Sequence, residues 1–84
     1  MNDKTFEMQN VVLREQLTEL RTRAQLTQRE LSTQLGRPQS YVSKYESGEK
    51  KLTLLEIRNI AVCCGTNLTD FIISFEEELL IVEQ

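Results

Sequence analysis

Between Leu26 and Gly48 the chain reads Leu-Thr-Gln-Arg-Glu-Leu-Ser-Thr-Gln-Leu-Gly-Arg-Pro-Gln-Ser-Tyr-Val-Ser-Lys-Tyr-Glu-Ser-Gly, and this stretch constrains the fold more than any other. Thr27, with Glu30 three residues later, has the pattern of a capping box, in which two side chains satisfy free backbone N–H groups at a helix start. Leu31 and Leu35 give that helix an inward stripe. Gly36 can take the positive φ that a sharp exit from a helix needs. Pro38 suits a first helical position, where a missing N–H is tolerated. The stretch therefore predicts two short helices, about 28–35 and 38–46, joined by a tight turn.

Projected at about 100° per residue, Pro38, Tyr41, Val42 and Tyr45 share one arc of the second helix, its predicted buried side. Gln39, Ser40, Ser43, Lys44 and Ser47 fall on the opposite arc. A helix face that only meets water is usually rich in Glu and Lys, which are good helix formers. Serines and a glutamine are poorer for propensity and better suited to touching base edges and phosphate oxygens. Two helices joined in this way make a helix-turn-helix, which commonly lays its second helix in the major groove of DNA.

These residues resemble the Cro/cI-type, or XRE, family of phage-repressor-like helix-turn-helix domains. The resemblance runs from about Leu13 to Phe71. It is most specific at Leu26-Thr27-Gln28, Leu31, Gly36, Val42-Ser43, Glu46-Ser47-Gly48, Ile60-Ala61, Gly65 and Leu68. It implies an all-α, compact five-helix bundle that binds double-stranded DNA, usually as a dimer. Ser32 departs from the pattern, standing where the family has a small apolar residue, most often Ala, and serine is small enough to fit. The resemblance also implies that Gln28 bonds the DNA backbone and braces Gln39. It further implies that Arg21 pairs with Glu46, a pairing that fixes helix orientation more than it adds stability.

The chemistry of the remaining polar residues adds to this. A helix start at Gln28 favours a phosphate. Gln39 carries an amide that matches adenine N6 and N7, Lys44 can reach guanine or a phosphate, and Ser40 and Ser43 complete the candidate base-reading set. Arg37, Ser47, Lys50 and Lys51 flank it as candidate phosphate contacts.

A net charge of −3 looks wrong for a DNA binder until it is divided along the chain. Residues 14–58 carry +3, residues 59–84 carry −5 without one Lys or Arg, and residues 1–13 carry −1. The asymmetry suggests a basic docking surface and an acidic end facing away from nucleic acid. Eighty-four residues suffice for one domain, here 1–84, with a core at about 13–75 and an acidic, apolar tail at 76–84. No apolar run approaches the ~20 residues of a membrane span. The Met-Asn-Asp-Lys start lacks a signal peptide's apolar stretch, so the expected location is the cytoplasm.

Cys63 and Cys64 are adjacent and cannot form an ordinary disulfide with each other. The chain has no histidine, so a zinc site would lack ligands, and neither metal nor cofactor is expected. With no nucleophile-and-base pair and no Gly-rich phosphate loop, an enzyme is not expected either. Glu76-Glu77-Glu78 reads as a solvated acidic helix face.

The other helices are predicted at about Met8–Gln25, with Leu13, Leu17, Leu20 and Ala24 inward, and from the cap Thr53 to about Cys64, burying Leu54, Ile57, Ile60 and Ala61. A last helix follows Asn67 with Leu68, Phe71, Ile72, Phe75 and Leu79. The carboxyl-terminal apolar residues exceed what one face can bury in so small a domain. Phe71, Phe75, Leu79 and Leu80 are therefore the predicted dimer interface. The expected function is a repressor-like, sequence-specific transcription regulator acting as a homodimer on a palindromic operator. An antitoxin, or an interaction module retaining the fold, is the alternative. With no separate ligand domain in the sequence, regulation is expected through concentration, dimerisation or a regulatory protein partner.

Overall fold

Four of the five helices begin at a side chain that caps them, and these caps set the element boundaries. The computed structural model describes residues 1–84 as α1 (Asp3–Arg23), α2 (Gln28–Gln34), α3 (Tyr41–Ser47), α4 (Leu54–Cys63) and α5 (Leu68–Val82), with no strand. Asn2 accepts the Thr5 N–H ahead of α1, and Asn67 accepts the Asp70 N–H ahead of α5. Thr27 with Glu30, and Thr53 with Glu56, form complete capping boxes. α3 has no side-chain cap of its own. Instead Ser32 of α2, fully buried, accepts the Val42 N–H at 3.2 Å and donates to the Gln39 carbonyl at 3.3 Å. Serine at this position does more than fit, because it satisfies a donor that every helix start leaves open.

The core is a single cluster to which every helix contributes: Leu17 from α1, Leu31 from α2, Val42 and Tyr45 from α3, Ile60 and Ala61 from α4, and Phe71 from α5. Tyr41 and Tyr45 meet edge to face, with ring centroids 5.6 Å apart. Burial of this set supplies most of the folding drive, since apolar area removed from water is the dominant favourable term. No helix is long and apolar enough to cross a membrane.

Several sequence expectations need correction. α1 begins at Asp3 rather than Met8, because Asn2 caps it. It stops at Arg23 because Gln25 turns left-handed at φ 60°. Val12, which the expected inward set of α1 did not include, is buried. α3 begins at Tyr41 rather than Pro38. The Tyr41 N–H bonds back only three residues, to the Pro38 carbonyl, so Pro38, Gln39 and Ser40 form the turn leading into the helix, and Pro38 is exposed. Leu54, at the first turn of α4, is 62% exposed rather than buried.

The expected tail is also helix: residues 76–82 continue α5, and Leu79 is buried beside the amino-terminal half of α1. Phe71 and Leu79 are therefore corrected from dimer interface to core of the chain's own fold, at 4% and 7% exposure. Phe75 is half-buried, stacked on Phe71 with centroids 6.3 Å apart. Of the four expected interface residues only Leu80 is fully at the surface.

Candidate nucleic-acid interface

Seven residues are too few to hold a helix by themselves, so α3 is held by bonds from its neighbours. Its inner face is Tyr41, Val42 and Tyr45, all buried. Near its carboxyl end, Glu46 accepts the Arg21 Nε–H at 2.8 Å and the Arg21 Nη2–H at 3.1 Å, while Gln28 Nε2 donates to the same carboxylate at 2.9 Å. Arg21 also donates to the Leu26 carbonyl at 2.8 Å. One carboxylate thus ties α1 and α2 to α3. The hydrogen bond to Glu46 raises the already high pKa of Arg21, against its partial burial.

The expected brace between Gln28 and Gln39 is replaced by this bond from Gln28 to Glu46. Gln28 keeps a second N–H, since an amide nitrogen has two. The turn after α3 is closed by Arg14, whose Nη1 donates to the Ser47 carbonyl at 3.2 Å. Gly48 sits there at φ 89°, and a Cβ at that position would overlap the Arg14 guanidinium. Sequence reasoning missed Arg14. Its only signal is that it lies seven residues before Arg21, and so on the same face of α1.

The opposite face of α3 and the turn before it are open. Gln39, Ser40, Ser43 and Lys44 are exposed, and their side chains enter none of the hydrogen bonds or ion pairs within the chain. Gln28, Arg29, Gln39, Ser40 and Ser43 line one shallow polar cleft between α2 and α3. Arg29, a cation the sequence analysis did not single out, belongs to this cleft. Ser47 is exposed, but its hydroxyl is committed to its own turn, donating to the Lys44 carbonyl and accepting the Glu49 N–H.

The flanking cations gather on Tyr41. The Arg37 guanidinium lies 5.5 Å from the ring centroid and the Lys50 ammonium 5.8 Å, both distances at which a ring face attracts a cation. The Tyr41 hydroxyl donates to Glu56 at 2.7 Å, and Lys50 is 3.6 Å from the same carboxylate. The Thr53 N–H, the Tyr41 hydroxyl and Lys50 together hold the Glu56 carboxyl down at about 2. Burial first, then the bond to Glu56, pushes the Tyr41 phenol well above its ordinary value. Lys51, by contrast, is exposed and enters no ion pair.

A family model described as a helix-turn-helix domain matches residues 12–70. The fold superposes with a TM-score of 0.80 on an XRE-family like protein from Pseudomonas syringae pv. tomato str. DC3000, at 34% identity over 87% of this chain and 89% of that one. The chain belongs to the XRE-type helix-turn-helix family. No curated protein matches it by sequence. Family and fold together make it a DNA-binding regulator, and α3 with its leading turn occupies the second-helix position of the motif.

Proposed function

We propose that this XRE-type chain is a repressor-like, sequence-specific transcription regulator that binds a palindromic operator as a homodimer in the cytoplasm, without catalysis or a cofactor. The observation that carries this reading is the outward face of Gln39, Ser40, Ser43 and Lys44. These are four hydrogen-bonding side chains, exposed and uncommitted, on an element whose other side is fully secured. Gln39, Ser40, Ser43 and Lys44 read base edges in the major groove. Gln28, through its free N–H, sets the register on phosphate together with Arg37, Lys50 and Lys51. Ser47 contributes its hydroxyl oxygen only as the turn permits.

Arg29 joins the phosphate set, because it shares the cleft with Gln28 and Gln39. An overall charge of −3 supports weak non-specific binding, since few phosphates are neutralised. Selection of bound fragments from random duplex DNA tests the proposal. An enriched inverted repeat is the expected result, and Gln39→Ala or Ser43→Ala should then relax preference at one or two positions. Recovery of no preferred sequence at low salt would overturn it.

A further inference from the structure

With Phe71 and Leu79 in the core, α5 exposes, besides Ile72, Ile81 and Val82, the apolar residues Ile73 and Leu80, at 53% and 64%. They are seven residues apart, hence on one line along the helix. α4 carries a matching pair, Leu55 and Val62, also seven apart and 70% and 48% exposed. The two pairs differ in the sign of the charge between them. Glu76 and Glu77 lie between Ile73 and Leu80, whereas Arg58 lies between Leu55 and Val62. All three charged residues are exposed and outside every ion pair of the chain. α4 and α5 pack on each other across the short turn at 64–67, so the two strips lie on neighbouring helices.

We propose that a second copy of this chain docks here in a crossed manner, α4 of each copy on α5 of the other, about a two-fold axis. A two-fold interface must be self-complementary, and this one is: an apolar strip with a cation faces an apolar strip with two anions, and the arrangement occurs twice. Arg58 then meets Glu76 and Glu77 of the partner subunit. Pairing α5 on α5 would instead bring four glutamates together, in a segment where residues 59–84 supply no Lys or Arg, and juxtaposed like charges disfavour association. The inference rests on the homodimer reading and specifies its surface.

Sedimentation of the full chain across a micromolar range provides the test. Arg58→Glu alone, and Glu76→Arg with Glu77→Arg, should each weaken the dimer by about tenfold, as two lost and reversed ion pairs per interface imply. Combining all three substitutions should restore the wild-type constant, and raised salt should weaken the wild-type dimer. Circular dichroism checks that these surface variants keep their helices. A dimer indifferent to Arg58→Glu, or one tightened by salt and by the glutamate reversals, would overturn the crossed arrangement and leave the homodimer standing. A wild type that stays monomeric throughout would overturn both.

Discussion

Replacing Glu46 by Ala removes the acceptor of three hydrogen bonds at 2.8, 3.1 and 2.9 Å and leaves the Arg21 guanidinium with only the Leu26 carbonyl. Both side chains are mostly buried, at 13% and 7% exposure, so water replaces the lost partner poorly. Breaking a buried pair from one side costs about 3–5 kcal/mol. The retained carbonyl bond and residual exposure of Arg21 place this case near 3 kcal/mol, or roughly 12–24 °C in melting temperature for a domain of this size. Since a domain of 84 residues has a total of about 4–13 kcal/mol, the variant should sit close to the threshold of folding. Glu46→Gln keeps one acceptor oxygen and should lose about half as much.

Urea unfolding followed by circular dichroism measures the loss, with an unchanged dependence on denaturant showing that two-state comparison is valid. Arg21→Met in the Glu46→Ala background should cost much less than in the wild type, because the cation it removes is already unpartnered. A loss below about 1 kcal/mol for Glu46→Ala would give the pair the value of an exposed surface bridge and refute its role as the tie between α1, α2 and α3.

Glu56, whose carboxyl is held at about 2 in the fold, contributes stability that is complete above its ordinary value of 4.5 and lost as pH falls through about 2. Glu56→Gln should therefore flatten acid unfolding over that window. Both tyrosines are raised above 10, chiefly by burial, so their neutral forms stabilise the fold and that contribution declines as pH rises past 10. Tyrosinate absorbance should appear together with loss of helix rather than before it. Gln25, left-handed at φ 60° without being glycine, carries a cost of roughly 1 kcal/mol, and Gln25→Gly should raise stability by about that amount in thermal melts. Lys51→Ala should reduce the slope of log affinity against log salt by about 0.9. Lys50→Ala should reduce it less, because Lys50 is already shared with Glu56 and the Tyr41 ring.

How much of this was legible beforehand depends on the range of the interaction. Caps and turns are local, and Thr27 with Glu30, Thr53, Asn67 and Gly36 are all readable from residue spacing. Helix-long stripes were readable too, which is why Leu17, Leu31, Ile57 and Ile60 were placed correctly. The start of α3 is not legible because Pro38 fits a helix start and a turn equally well, and the choice is made by Ser32 from another helix. The exposure of Leu54 is not legible because a cap fixes where α4 begins but not what lies beside its first turn. The burial of Leu79 is not legible because the reach of α1 back to Asp3, which helps cover it, has no strong sequence signal beyond Asn2.

The supports of α3 differ in kind from the residues on its open face, and this separates two classes of mutational effect. Arg14, Arg21, Gln28, Ser32 and Glu46 decide where α3 sits, through bonds to its backbone and to one carboxylate. Disturbing Arg14, Arg21, Ser32 or Glu46 moves all four outward side chains together, so affinity should fall alike on preferred and unrelated sequences. Disturbing Gln39 or Ser43 leaves the helix in place and removes one partner from one base pair, so the fall should be confined to the preferred sequence. Gln28 belongs to both classes, with one N–H on Glu46 and the other free, and the two contributions can be separated. Gln28→Glu keeps the length of the side chain but sets a second carboxylate against Glu46 and offers no donor to phosphate. Gln28→Lys introduces a cation that can serve both. If Gln28 serves only as a support, Gln28→Lys should retain stability and leave the salt dependence unchanged. If it also holds a phosphate, the same variant should steepen that dependence by up to about one contact.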